Sequence, residues 1–392
     1  MELAGCQNII KNTAGIIGNI FLRMKILVYF SGNVTEPKGT PIRVKNILIH
    51  LIKNRADVYY ASRIMPEKIS LASTVFLAKP YARPWQLAKF IRQNKIDIFY
   101  IVTSAGIWLA PFLRILTRAK IGCDMHSLRV EEEKVYKNLS IVSYMFQKYT
   151  EYFLCLFLHF ATGCSVPLGQ YYKRFIGTYH LFPVGVDLSL FNRDVVPDKE
   201  LLLWKGNALL IGYAGNTKWY QGLDLVLSAL AKLNEEKRGM FKLVIVASSL
   251  DPSVGEFIEK NNLSEAVFVL GKQPHEKVPS LLMAADILTI VRPSDMITEY
   301  AFPSKFPEHA ALGKALIVSK VGDLHRYVED GVSALIVEPQ NVEELANALL
   351  KLTDPKLREK LGEGAARLAQ ERFDINAIGK KMYDFLFSQS KL

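Results

Sequence analysis

Cysteine is scarce in this chain, and the four present never approach one another at metal or redox spacing. Cys6, Cys123, Cys155 and Cys164 all fall in the first half, with no C-x-x-C pair and no Cys/His cluster. That excludes a zinc module and a disulfide scaffold, and it reads as the reduced thiol chemistry of the cytosol. Long apolar runs are missing too. The longest, residues 152–161, is about half of the ~20 residues a membrane-spanning helix needs, and it contains His159. There is no G-x-G-x-x-G fingerprint, so a dinucleotide cofactor is not indicated. No Asp-x-Asp pair follows a strand where a divalent ion would bridge a diphosphate, so no metal site is expected. Residues 1–23 carry neither a basic n-region nor a small-residue cleavage site, so a secretory signal is not expected. A short amphipathic anchor and a start-site artefact both stay open for that extension.

What the chain does have is length and apolar content. At 392 residues, half of them hydrophobic, it exceeds one ordinary core and calls for two α/β domains of similar size. The formal charge of +11 is unevenly placed: residues 1–196 hold 25 Lys and Arg against 12 Asp and Glu, and the remainder holds 24 against 26. A basic first half points to an anionic partner, a membrane surface or a nucleic acid. The membrane is favoured because no nucleic-acid module is present. A plain solvated basic surface is the alternative.

Short β-rich stretches at 24–30, 57–61, 96–102, 120–123 and 179–182 alternate with helical spacing such as Val44, Ile47, Leu48, Leu51 and Ile52. A polar stretch at 192–205 interrupts the pattern. It restarts at 208–214 and continues with strands at 241–247, 267–270, 286–291, 315–319 and 334–337. The expected fold is therefore α/β, with two doubly wound Rossmann-like domains facing a central cleft. The expected divisions are an N-terminal extension at 1–23, a first domain at 24–190, a linker at 191–205, a second domain at 206–371, and a last helix at 372–392 that crosses back to the first domain. In open parallel sheets ligands bind beyond the carboxyl ends of the strands, so chemistry is sought in the loops there.

Three such loops stand out. Residues 31–43 hold Gly32 and Gly39 before a helix, where backbone N–H groups approach a phosphate. Residues 212–222 repeat that logic with Gly215, Asn216 and Lys218. The third, 301–319, places a helix opening near Pro303 and Ser304, with Lys305 in its first turn, Glu308 one turn on, and Gly313 ending it before a buried strand. A carboxylate at 308 suits two vicinal hydroxyls, as a ribose presents, and Lys305 suits phosphate. Each residue also has a bland reading, a loop lysine for Lys218 and a solvent-facing helix carboxylate for Glu308.

The segment Pro303-Ser-Lys-x-x-Glu308, followed by Ala310-Ala-Leu-Gly-Lys-Ala-Leu-Ile-Val, resembles the donor-binding signature of the family-4 (group 1) glycosyltransferases. Asp124-x-His126 with Glu131 to Glu133, Pro183-Val-Gly-Val-Asp187, the loop Gly215 to Gly222, and Glu329-Asp-Gly331 follow in that family's order. The resemblance covers residues 24 to about 388 and is stronger in the second half. It implies the GT-B architecture, a nucleotide-sugar donor, transfer with retention at the anomeric carbon, and His126 facing the donor sugar. The donor-binding set it points to is Gly39, Gly215, Asn216, Lys218, Arg292, Glu299, Ser304, Lys305 and Glu308.

Two departures accompany it. The family's Glu-x7-Glu motif would put glutamate at 300, where this chain has Tyr300, with Glu299 one place away. Asn216 and Gln221 stand where the family often has Arg and Lys. The expected activity is sugar transfer to a glycan or lipid-linked acceptor in polysaccharide biosynthesis. It would need neither metal nor cofactor, and no nucleic acid, and it would occur in the cytoplasm at the inner face of the cell membrane. Alternatives are a nucleotide-sugar epimerase of the same fold and a catalytically silent partner subunit.

Overall fold

A computed structural model describes residues 23–34, 39–62, 76–78 (backbone only) and 84–391 of the chain. Residues 1–22, 35–38 and Cys6 therefore lie outside it, and with them most of the extension and part of the first glycine loop. Seven strands build the first sheet: β1 Lys25–Phe30, β2 Asp57–Ser62, β3 Phe76–Ala78, β4 Ile98–Val102, β5 Lys120–Met125, β6 Phe160–Gly163 and β7 Tyr179–Leu181. Six build the second: β8 Leu209–Ala214, β9 Phe241–Val246, β10 Val267–Leu270, β11 Ile287–Ile290, β12 Ala315–Ser319 and β13 Leu335–Val337.

The first sheet runs β3-β2-β1-β4-β5-β6-β7 and the second β10-β9-β8-β11-β12-β13. Every strand pairing is parallel. The order reverses between β1 and β4 in one sheet and between β8 and β11 in the other. These reversals leave the crevices in which doubly wound sheets hold ligands, and the expected two-domain fold is met.

The strands read as unbroken apolar runs because helices cover both of their faces. On one face of the first sheet, Leu27, Tyr29, Phe99 and Ile121 pack with Leu87, Leu113, Cys155 and Tyr172 from four helices. On the other, Ile26, Val28, Tyr60 and Tyr100 pack with Val44, Leu48 and Leu51 of the helix Gly39–Lys53. The last helix, Ile375–Lys391, joins that second layer through Met382 and Leu386. Gly379 permits the contact, since a Cβ there would lie 2.4 Å from the His50 ring. The chain thus passes between domains twice, side by side: Val186 donates its N–H to Phe373 and accepts from Ile375.

Three features escaped the sequence pattern. Only four residues separate the end of the helix Ile141–Cys155 from the start of β6, so one apolar run contains a helix end, a turn and a strand that periodicity does not separate. β3 is three residues long. Within the stretch read as a linker, Lys199–Lys205 is helical and capped by Asp198, whose carboxylate accepts from Leu201 N–H. Cys123, Cys155 and Cys164 are buried and unpaired, and burial pushes their thiols up. Among the described residues no helix is long and apolar enough to cross a membrane.

Candidate functional site

A cleft of about 1060 Å³ lies between the domains, lined by residues that follow the carboxyl ends of β1, β5, β8, β9 and β11. Phosphate-sized ligands enter such a cleft because the loops there expose backbone N–H groups while the strands below stay apolar. A second hollow of about 780 Å³ adjoins it, and the two share Gly39, Ile42, His275, Ser304 and Glu308.

The first-domain wall is organised by one buried carboxylate. Asp124, at the end of β5, is fully buried. Its Oδ2 accepts from Arg43 Nε at 2.8 Å and lies 2.6 Å from His126 Nε2, while Oδ1 accepts from Arg43 Nη2 at 3.1 Å and Thr162 Oγ1 at 2.6 Å. Burial opposes its ionisation, but Arg43 and then His126 outweigh burial and hold it far below the usual carboxylate range. An ionised carboxylate only accepts, so His126 Nε2 carries the hydrogen and Nδ1 is left for whatever occupies the cleft. Glu132 and Tyr136, from the helix Arg129–Lys137, complete this wall. Tyr136 meets Tyr220 of the second domain edge-on, with ring centroids 6.0 Å apart.

The second-domain wall is cationic. Arg292, just past β11, is buried, and its Nη1 donates to the Ala301 carbonyl at 2.7 Å. Desolvation brings its pKa down to about 10. Lys305 opens the helix Lys305–Ala311, and its Nζ sits over the Tyr213 ring at 4.8 Å. Desolvation first, and Arg292 second, lower its pKa to about 7. Burial lifts Glu308 to about 7, with Lys305 opposing. Its Oε1 is 3.9 Å from His275 Nε2. Among the described residues neither Arg292 nor Lys305 forms an ion pair with a carboxylate, so the two cations share a desolvated wall whose charge an anion would satisfy. Gly215 makes the arrangement possible. Its φ is +134°, and a Cβ there would fall 2.4 Å from Lys305 Nζ.

The structure brings together His126, Gly39, Gly215, Asn216, Arg292, Ser304, Lys305 and Glu308 around the cleft. Gly39 and Ser304 face each other across it, with 3.4 Å between an added Cβ and Ser304 Oγ. Lys218 is not brought in. It is exposed outside the lining, with its N–H bound to Asn216 Oδ1 at 3.1 Å. Glu299 also stays out, because Oε1 accepts from Ser294 Oγ at 2.6 Å and Oε2 from Gly322 N–H at 2.8 Å. Tyr300 turns away to the first domain, where its ring packs on Tyr171 at 5.5 Å and its carbonyl accepts from Ser165 Oγ at 2.5 Å. The residue in place of the family glutamate is therefore a bridge between domains.

Arg43, Glu132, Tyr136, Tyr220 and Thr289 were missed as site residues. Thr289 lines the cleft, and its buried hydroxyl has no partner among the described residues. Arg43 lies 81 residues from Asp124, and no local spacing links the two. Glu132 sat within a recognisable acidic run, but its helix face appears only on folding.

Residues 197–368 match the family described as Glycosyl transferases group 1. The alpha-D-kanosaminyltransferase of Streptomyces kanamyceticus is 23% identical over 181 residues, 44% of each chain. A D-inositol 3-phosphate glycosyltransferase of Segniliparus rotundus is 26% identical over 220 residues, 54% of this chain and 48% of that protein. The chain thus spans about half the length of the curated relatives it matches. Among solved structures, sucrose-phosphate synthase from Thermosynechococcus elongatus superposes with a TM-score of 0.75 at 19% identity, covering 93% of this chain and all of that one. Anabaena Alr3699/HepE in complex with UDP-glucose gives 0.73 at 15% identity over the same shares. These likenesses show the two-domain GT-B fold.

Proposed function

Because residues 197–368 match the family described as Glycosyl transferases group 1, we propose that this chain transfers a sugar from a nucleotide-sugar to a glycan or lipid-linked acceptor, with retention and without a metal. The observation that carries the proposal is the pair Arg292 and Lys305, two cations desolvated on one wall with no carboxylate paired to either among the described residues. A diphosphate supplies the charge that wall lacks, and the same groups stabilise it as it leaves. Gly215 and Asn216 border the diphosphate, and Glu308 takes the ribose hydroxyls. Gly39 and Ser304 close over them, and His126 Nδ1 meets the sugar. The UDP-glucose named with the Anabaena protein makes a uridine nucleotide the first donor to try.

The test is nucleoside-diphosphate release measured with and without acceptor, for wild type and for Glu308→Ala, in excess chelator. Release that requires acceptor, persists in chelator and collapses in the variant is expected. Release without acceptor indicates hydrolysis rather than transfer. A variant with near-normal turnover removes Glu308 from the site, and loss in chelator restored by magnesium shows a metal requirement. An epimerase would convert the donor with no acceptor present, and a silent subunit would do neither.

A further inference from the structure

The helix Ile141–Cys155 exposes apolar residues on the side that should be polar. Ile141, Val142, Phe146, Tyr149 and Phe153 fall within about 140° of its circumference at 3.6 residues per turn, and each is more than half exposed, Val142 reaching 75%. Its other side is already committed, since Tyr144, Glu151 and Cys155 are buried against the domain. A helix apolar on both sides needs a second apolar surface. Leu156, just beyond its end, continues the exposed stripe.

The neighbouring helix Ala110–Leu116 does the same with Phe112, Ile115 and Leu116, Ile115 being 80% exposed. Both helices cover the same face of the first sheet, and so does Pro84–Gln93, which exposes Trp85.

The charge on this face has one sign. Lys89, Arg92, Arg114 and Arg118 are exposed. Residues 84–128 contain two carboxylates. Asp97 is half-buried and takes the Lys25 N–H, and Asp124 is buried in the site described above. Glu151, the sole acid of Ile141–Cys155, is buried and accepts from Ser104, Arg129 and Tyr172. The glutamates of Arg129–Lys137 are spent as well: Glu131 on Lys148 and Tyr144, and Glu133 on Arg129 and Lys137, while Glu132 lines the cleft. Lys137 and Lys148 are thereby neutralised, and the free positive charge comes from Lys89, Arg92, Arg114 and Arg118.

We propose that this face, built from Phe112, Ile115, Phe146, Phe153 and the arginines 114 and 118, docks on an anionic lipid surface. Apolar side chains flanked by cations, with neither an ion pair to those cations nor an exposed free carboxylate on this face among the described residues, match the two layers of such a surface: acyl chains below, negative headgroups above. The face reaches the cleft at Tyr136, which is half exposed and also lines it. A docked chain therefore turns this edge of the cleft toward the bilayer.

The test uses the full chain, sedimented with vesicles of phosphatidylcholine alone or mixed with phosphatidylglycerol, at low and high salt. Binding is expected to the mixed vesicles and to fall with salt, as screening shortens the reach of the charges. Phe146→Asp with Phe153→Asp abolishes it. Arg114→Gln with Arg118→Gln raises the lipid concentration for half-binding about twenty-fivefold, roughly fivefold per charge. All four side chains are away from the cleft lining, so thermal stabilisation by UDP-glucose stays unchanged and reports the donor site separately. Equal binding to neutral and mixed vesicles overturns the proposal, as does unaltered binding of the aspartate pair. So does lipid-free dimerisation that the aspartate pair abolishes, since a second copy would then cover the face.

Discussion

Replacing Asp124 by asparagine keeps the volume and removes the charge on which Arg43, His126 and Thr162 converge. The aspartate is fully buried and the Arg43 side chain is 12% exposed, so the guanidinium would remain desolvated without its counter-ion. Breaking such a pair from one side costs about 3–5 kcal/mol, and the amide N–H₂ of the replacement presents a donor to donors. For a domain of this size that cost lowers the melting temperature by about 10 °C. Removing both partners, as Asp124→Asn with Arg43→Met, recovers much of the loss, because an apolar group of similar length replaces the stranded cation. The double variant remains inactive, since His126 Nε2 has lost the carboxylate that fixes its tautomer. Differential scanning fluorimetry on wild type, Asp124→Asn, Arg43→Met and the double variant gives the cycle directly. Additive losses in the double variant, or a drop below about 1 kcal/mol for Asp124→Asn alone, refute the buried-pair account. The pH dependence has the same origin. Asp124 is depressed in the folded state, so its contribution is present above the carboxylate's unfolded value and is lost as pH falls through the folded one.

Donor binding is expected to show a bell-shaped pH dependence centred near 7, checked by titrating UDP-glucose, whose diphosphate does not ionise there. Lys305, lowered to about 7 by burial, loses its proton above that value, and affinity falls by up to about tenfold per unit. Glu308, raised to about 7, is neutral below it and loses its grip on the ribose. Lys305→Gln flattens the alkaline limb and Glu308→Gln the acid limb; unchanged limbs in these variants count against the assignment. Gly215→Ala puts a methyl 2.4 Å from Lys305 Nζ at a φ of +134°. Strain of about 1–3 kcal/mol follows, and donor affinity drops because Lys305 is displaced. A variant that binds UDP-glucose normally shows that Lys305 does not contact the diphosphate.

The alternation of short apolar strands with helical spacing was enough to determine the two doubly wound domains, because parallel strands buried on both faces read as short continuous apolar runs between helical stretches. The segment Pro303 to Gly313 was legible for a local reason: a helix start, a helix stop and the residues between them lie within one short stretch. Its observed helix, Lys305–Ala311, and Gly313 at φ +66° lie where the turn chemistry placed them. Folding alone decided which candidates share a cleft. Lys218 shares its loop with Asn216, and Glu299, in the short helix Met296–Tyr300, follows the same strand end as Arg292. Whether such a side chain enters the cleft or bonds its own loop depends on competition among hydrogen-bond partners that spacing does not rank. Arg43 and Asp124, 81 residues apart, meet because β1 and β5 flank β4 in a sheet whose order the chain crosses out of sequence. The apolar residues between 136 and 160, set beside Lys134, Lys137 and Lys148, suit an interface by composition, with packing inside the domain as the alternative. Only the packing of the opposite side of the helix Ile141–Cys155 against the domain left Phe146 and Phe153 in solvent, since a helix can turn only one of its faces to a given sheet.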